Sequence, residues 1–489
     1  MDAIASARPQ PCSLHVSQCT DQAHGNLFVP TYSPVQRRAF HECYNCKHAS
    51  RPVNIELGTS RSSTAIISCQ LHANGADRRL AAEVVNSWRS FELPPLYSRF
   101  PMRFPPHYDE SVQEECDAWG LSFMSPSAPA AQAVRQAYLN GRYHLLGALF
   151  YPSCCSRRRL MLLTKLTLFT FIMDDIMELT CPTEAAALLR VTLTAWKSGS
   201  RSKISTSTAA AAFMTSPGNS TGWPSKTEQI VALVKRFLRE VWEEMCHDMT
   251  PAFQALMEGL MLEWLLKEGS DQIHPTAAAA YHSTASVDEC MASRMSLVGA
   301  EPFFRLVEYS MDIDIGDQLT SVPVMAELKK HLLRHYIWVN DLLSFRKEFL
   351  QDGGQYYSKR GVVRVLIAQA ASSSEAVDLQ AIINKVWGMI QAEEEIIEHL
   401  TNEIRARFCP SSDLVKFTES LCVTLATNMY WYTMSGRYGL HEVKFFHTKP
   451  PKETRPTIIN LDAYDPNLHI TLQSLLFGHY QSQCNAMED

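Results

Sequence analysis

The sequence predicts an all-α protein: one large helical body preceded by a loosely structured N-terminal extension. Three observations carry this. From Leu93 onward, apolar residues recur at helical spacing in long stretches that end at Pro or Gly. No stretch shows sustained strand alternation. No fixed-period repeat divides the chain, so roughly a dozen helices share one core.

Residues 1–85 are rich in Ser, Pro, Cys and His without helical period, and read as a largely disordered extension. Within them, Cys43-x-x-Cys46 and Cys69-x-x-His72 have a spacing compatible with a zinc ribbon. The intervening sequence lacks clear strands, and a chance array in a Cys-rich arm is the competing reading. Residues 86–448 form the body. Glu110–Phe123 and Pro129–Leu146 read as helices, and Leu160–Leu179 as a buried one that Pro182 ends. Residues 183–197 continue the helical pattern. Residues 198–226, rich in Ser, Thr, Ala, Gly and Pro, read as a flexible insertion. Helical spacing resumes at 227–246, 250–268, 277–298, 301–310 and 322–351, the last stopped by Gly353-Gly354. Stretches 358–371 and 375–408 follow, then a break at Pro410 and a final helix at 412–434. Residues 449–489 read as an irregular tail, Pro-rich at first.

The composition narrows the function. Over 489 residues, 46% are hydrophobic and 20% charged, as in ordinary globular proteins. A net charge of −6 leaves no electrostatic footprint for nucleic acid. An anionic substrate must therefore be handled by a few local cations and metal ions. The N-terminus shows no basic segment followed by an apolar one, so no secretory signal is read. The most apolar stretch, Leu160–Met177, is interrupted by Lys165 and runs into Asp174-Asp175, so no stable membrane insertion is expected. The 14 scattered cysteines read as reduced thiols of a cytoplasmic protein. Monomer and homodimer both remain open.

Two clusters carry chemistry. Asn340, Ser344 and Glu348 are spaced i, i+4, i+8, on one face of an apolar and aromatic helix. An amide oxygen, a hydroxyl and a carboxylate form an all-oxygen ligand set suited to Mg²⁺. Asp174, Asp175 and Glu178 end the buried helix upstream. Taken alone, that trio is equally a solvated helix end. Taken together, the two clusters suggest a cavity that grips a diphosphate through several metal ions. A diphosphate also needs fixed donors, and Arg294, Lys347 and Arg437-Tyr438 offer them. Singly, each cation is more often a surface charge or a salt-bridge partner.

In this order the motifs resemble the class I terpene synthases, most of all the fungal sesquiterpene cyclases. Asp174-Asp175-x-x-Glu178 is similar to that family's aspartate-rich motif, with Glu178 where many relatives have Asp. Asn340-Asp341-x-x-Ser344-x-x-Lys347-Glu348 is similar to its second metal-binding triad. Arg294 stands where the family carries its diphosphate-sensing arginine, and Arg437-Tyr438 where it carries a diphosphate-binding pair. Gly299 follows Arg294 by five residues, where the family's effector glycine follows by four. The resemblance spans about residues 93–445; the N-terminal arm and the 198–226 insertion are additions.

The resemblance implies a carbon–oxygen lyase acting on farnesyl diphosphate to form a sesquiterpene hydrocarbon or alcohol. It implies three Mg²⁺ ions, with Mn²⁺ as substitute. Asp174, with Asp175 and Glu178, would ligate on one side, and Asn340, Ser344 and Glu348 on the other. Arg294, Lys347, Arg437 and Tyr438 would hold the leaving diphosphate. Aromatic faces stabilise cations, and Phe169, Phe171, Phe303, Phe304, Trp338 and Trp431 are the candidates for the pocket wall. Plain helical core is the competing reading of each. Mono- and diterpene synthases remain as alternatives. A chain-elongating prenyltransferase would carry a second Asp-rich motif where Asn340-Asp341-Leu-Leu-Ser344 stands. A protonation-initiated cyclase would need an Asp-x-Asp-Asp motif, which Asp312-Ile-Asp314-Ile does not supply. A catalytically inactive helical scaffold would give no reason for the ordered motifs.

Overall fold

The computed structural model describes residues 88–123, 131–179, 189–190, 192–194, 196, 226–273, 286–297, 300–351, 361–372 and 377–461. Within these, the fold is helical. The longer helices are α1 (Glu110–Leu121), α2 (Ala131–Gly141), α3 (Tyr143–Leu149), α4 (Arg157–Leu179), α5 (Lys226–Phe237), α6 (Pro251–Ile273), α7 (Val287–Leu297), α8 (Ala300–Met311), α9 (Pro323–Leu343), α10 (Phe345–Gln351), α11 (Val362–Ser372), α12 (Leu379–Arg407) and α13 (Asp413–Met434). Their starts follow local chemistry. The Asp109, Asp378 and Ser412 side chains accept from N–H groups that the first turns of α1, α12 and α13 leave unpaired. Pro323 opens α9, where its missing N–H costs nothing.

The helix pair α9–α12 is the most extensive contact, and α3 packs closely on α4. On α12, Ile383, Val386, Ile390, Ile397 and Ile404 face the core at helical spacing. Buried acids on the same helix tie neighbouring segments in. Glu394 accepts from the Ser98 hydroxyl (2.6 Å) and the Arg99 N–H (2.8 Å), and His335 of α9 lies 3.2 Å from it. Glu393 accepts from Arg334 of α9 (2.6 Å). No described helix is long and apolar enough to cross a membrane.

Four features depart from the sequence reading. The 129–146 stretch is two helices, because Arg142 adopts a left-handed conformation (φ 49°) between α2 and α3. The 322–351 stretch is divided at Ser344. The 227–246 stretch widens after α5 into a π-helical turn, Leu238–Trp242, which turns Val241 and Trp242 into the core. Small sheets, which strand alternation did not reveal, join the ends of the body. β1 (Ser90–Leu93) pairs antiparallel with β4 (Thr457–Asn460), with Leu93 opposite Thr457. β2 (Leu96–Tyr97) pairs parallel with β3 (Phe445–Phe446). Part of the 449–489 segment, read as irregular tail, is therefore an ordered strand against the start of the body. The physical reason is burial: Phe91, Leu93 and Ile459 enter the core from this edge.

Residues 1–87, with Cys43, Cys46, Cys69 and His72, lie outside the described residues, as do 198–225 of the insertion and Gly299.

Candidate active site

The oxygen stripe survives the division at Ser344. The Ser344 N–H donates to the Asn340 carbonyl (2.8 Å) and the Glu348 N–H to the Ser344 carbonyl (3.0 Å), so the helical ladder runs through the junction of α9 and α10. The Ser344 hydroxyl donates to the Glu348 carboxylate at 2.5 Å, which sets those two ligand candidates side by side. Asn340 is fixed at both ends of its amide. Its Nδ2 donates to the Tyr432 hydroxyl (2.7 Å), and its Oδ1 accepts from Arg294 Nη2 (3.0 Å). The Arg294 bond decides which way the amide faces, because a guanidinium only donates and so requires Oδ1.

The same Arg294 nitrogen donates to Asp341 (2.7 Å), whose other oxygen accepts from the Val362 N–H at the start of α11. Burial pushes the Asp341 carboxyl up to about 6, with Arg294 holding it down and the Glu348 charge adding to the rise.

The acidic motif at the end of α4 splits into two roles. Asp175 is fully buried, and the Arg437 guanidinium grips both its oxygens, with Nη1 2.9 Å from Oδ2 and Nη2 on Oδ1. A carboxylate removed from water needs such a counter-charge. Asp175, a ligand candidate from the sequence, is engaged in this ion pair, while its neighbour Asp174 is half-buried. The Glu178 side chain lies outside the described residues. Arg437 also donates to the Tyr143 hydroxyl (3.2 Å), and burial pushes that phenol up to about 12.

Arg437 and Tyr438 sit on a short 3₁₀ turn, Gly436–Tyr438. This turn connects the two clusters. Arg437 reaches Asp175 of α4, while the Tyr438 ring packs 4.4 Å from the Tyr432 ring, whose hydroxyl holds Asn340. The Lys347 ammonium lies 6.0 Å from the Tyr438 ring centroid. The described residues therefore bring Asp175, Arg437, Tyr438, Lys347, Asn340 and Arg294 into one connected set of contacts.

The aromatic candidates are distributed more widely. Phe171 and Trp431 pack together at 5.5 Å, and the Arg437 guanidinium lies 5.6 Å from the Phe171 ring. Phe303 packs on Phe150 and Phe304 on Tyr336. Trp338 is buried with its indole N–H unpaired. Phe169 stacks on Phe237 at 3.8 Å. Tyr143, Asp341 and Tyr432 were missed as site residues. Nothing local marks Tyr143 or Tyr432, whose partners lie 294 and 92 residues away. Asp341 stands inside the motif, and its burial between two helices is a tertiary fact.

Among the described residues, no three His, Cys, Asp or Glu side chains form a ready metal cluster. Metal ions would need the mixed set of Asp174 on one side and Asn340, Ser344 and Glu348 on the other. All are oxygen donors, and two of them already touch, so the set fits a hard divalent cation.

Residues 165–396 match the family model described as "Terpene synthase family 2, C-terminal metal binding". The chain carries a terpene synthase metal-binding domain. The matched span of this terpene synthase includes both oxygen clusters and Arg294; Arg437 and Tyr438 lie beyond it. Among curated proteins, the chain is similar to a (3S,6E)-nerolidol synthase of Selaginella moellendorffii, 26% identical over 356 residues, covering 71% of this chain and 83% of that one. It is also similar to the sesquiterpene synthase Agr3 of Cyclocybe aegerita, 24% identical over 265 residues, 53% of this chain and 66% of that one. In fold it resembles an α-eudesmol synthase structure (TM-score 0.51, 17% identity, 69% of this chain and 98% of that one). It resembles the ancestrally reconstructed SVS_A2 protein similarly (TM-score 0.51, 16% identity, 73% and 93%). Terpene synthases of this type are enzymes whose C-terminal domain binds metal, and this chain is one of them.

Proposed function

We propose that this terpene synthase is a sesquiterpene cyclase. It ionises farnesyl diphosphate and cyclises the allylic cation to a hydrocarbon or alcohol, releasing diphosphate. The carrying observation is the turn Gly436–Tyr438, where Arg437 holds the acidic motif and Tyr438 packs on the tyrosine that holds Asn340. The relatives named as nerolidol synthase and sesquiterpene synthase support the fifteen-carbon substrate class.

Asp174 on one side and Asn340, Ser344 and Glu348 on the other would hold three Mg²⁺ ions, which Mn²⁺ could replace. When bound, the ions supply Lewis-acid charge to the departing diphosphate. Arg294, Lys347, Arg437 and Tyr438 bind and orient that diphosphate as preorganised donors. No nucleophilic side chain is needed, because the substrate's own double bonds attack the cation. Phe171 and Trp431, beside Arg437, present aromatic faces to it and exclude water. The unpaired thiols of the described cysteines support a reducing, cytoplasmic location.

The test is a pair of variants. Asp174→Asn and Asn340→Ala each lower kcat roughly 100-fold or redirect products, with unchanged circular dichroism. Kinetics and products like the parent's in both variants reject the metal assignment.

A further inference from the structure

Arg346 lies between the ligand candidates Ser344 and Glu348, yet the chemistry above gives it no task. It is buried, and among the described residues it forms no ion pair with a carboxylate. Its guanidinium instead spans two backbone carbonyls that are far apart in sequence. Nη1 donates to the Gly439 carbonyl, and Nε donates to the Asn460 carbonyl at 3.0 Å. Gly439 directly follows Arg437-Tyr438 and ends their turn in the left-handed conformation (φ 63°), which glycine adopts without strain. Asn460 is the last residue of β4.

The donor turn is thus held from two sides. On one side, Gly436 packs so tightly on Asn140 that an added Cβ would come within 2.9 Å of the Asn140 Cβ. The Ser435 hydroxyl donates to the Gly141 carbonyl (2.8 Å) and accepts from the Arg437 N–H (3.3 Å). On the other side, the Arg346 guanidinium joins the turn's end to α10, the helix that carries Lys347 and Glu348, by a side-chain hydrogen bond. The same side chain engages β4, which pairs with β1, and the Leu461 N–H donates to the Arg89 carbonyl (2.8 Å).

We propose that Arg346 is a positioning residue for the diphosphate grip: it sets the Arg437–Tyr438 turn against the Ser344–Glu348 helix and enlists the C-terminal strand β4 in doing so. The inference rests on the diphosphate reading above. A planar guanidinium suits the task, because its fixed fork can serve two carbonyls at once, whereas an ammonium is a point donor on a flexible stem. The strand β4 then belongs to the catalytic machinery through its backbone, although it carries no ligand.

The test uses the full chain with the substitutions Arg346→Met and Arg346→Lys. Binding of inorganic diphosphate in Mg²⁺ is measured by calorimetry, and KM and kcat with farnesyl diphosphate. A misplaced donor turn weakens diphosphate binding and lowers kcat by about 10- to 100-fold in Arg346→Met. Arg346→Lys recovers part of both. Tyr438→Phe supplies the readout that a merely structural role would not move. In a double-mutant cycle on diphosphate affinity, Arg346→Met and Tyr438→Phe are non-additive if Arg346 acts through the turn. If Arg346→Met does not fold, the cycle is run with Arg346→Lys, where the same non-additivity is expected. Diphosphate affinity and kcat like the parent's, or strictly additive effects, overturn the proposal even if melting temperature falls. Failure of the unsubstituted chain to bind diphosphate or turn over substrate rejects the functional reading instead.

Discussion

Tyr432→Phe removes one hydroxyl at the centre of the site, which bonds both Asn340 and the Tyr438 side chain. Tyr432 is buried, packed 4.4 Å from Tyr438 and 5.4 Å from Trp431, and its hydroxyl accepts from Asn340 Nδ2 at 2.7 Å. Burial pushes its phenol up to about 12, so it is neutral at physiological pH. Phenylalanine keeps the ring contacts and removes only the oxygen. The Asn340 amide keeps its Arg294 bond but loses the anchor of its Nδ2, and leaving that half-buried N–H unpaired costs about 1–3 kcal/mol. Groups that orient a metal ligand typically alter metal affinity about 10- to 100-fold when removed. The expected result is a rise of that size in the Mg²⁺ concentration needed for half-maximal turnover. KM for farnesyl diphosphate at saturating Mg²⁺ changes less. The assay is turnover against Mg²⁺ concentration, with melting temperature in parallel. An unchanged Mg²⁺ requirement in a folded variant refutes the claim that Tyr432 orients a metal ligand.

Arg437→Met leaves the Asp175 carboxylate buried without its counter-charge and lowers stability by about 3–5 kcal/mol. Denaturant unfolding measures this, and a stability loss below 1 kcal/mol contradicts the buried pairing. Gly436→Ala drives a methyl group to within 2.9 Å of the Asn140 Cβ and costs about 1–3 kcal/mol. Its diphosphate affinity falls with the displaced turn, and unchanged affinity argues that the turn is not part of the grip. Removing divalent ions with a chelator abolishes turnover while leaving the helical circular dichroism intact, and Mg²⁺ restores it; activity that persists after chelation contradicts metal-assisted ionisation.

The helical body, and the shared face of Asn340, Ser344 and Glu348, are legible because they rest on local periodicity. The spacing of Asn340, Ser344 and Glu348 already puts them on one face, and the ladder through Ser344 keeps them there. What was illegible depends on distant partners. The left-handed Arg142 ends one helix and starts another, and its carbonyl is held by the Trp431 indole N–H (3.0 Å), 289 residues away. β1 and β4 are four residues each, too short for alternation to announce, and their pairing joins opposite ends of the body. The acidic pair Asp174-Asp175 reads as two equivalent ligands, yet helix geometry points successive side chains about 100° apart, so one can face solvent while the other turns inward to Arg437. The tyrosines at 143 and 432 lacked any local signature, since their importance lies in which cation or amide they touch.

The central claim is that two oxygen clusters joined through the Arg437–Tyr438 turn start an ionisation. It is tested most directly by incubating the chain with farnesyl diphosphate and Mg²⁺ and analysing the headspace and released diphosphate. The account predicts a volatile fifteen-carbon hydrocarbon or alcohol formed together with one equivalent of inorganic diphosphate, lost in Asp174→Asn. Longer isoprenoid diphosphates, or no turnover by a folded chain, would contradict it.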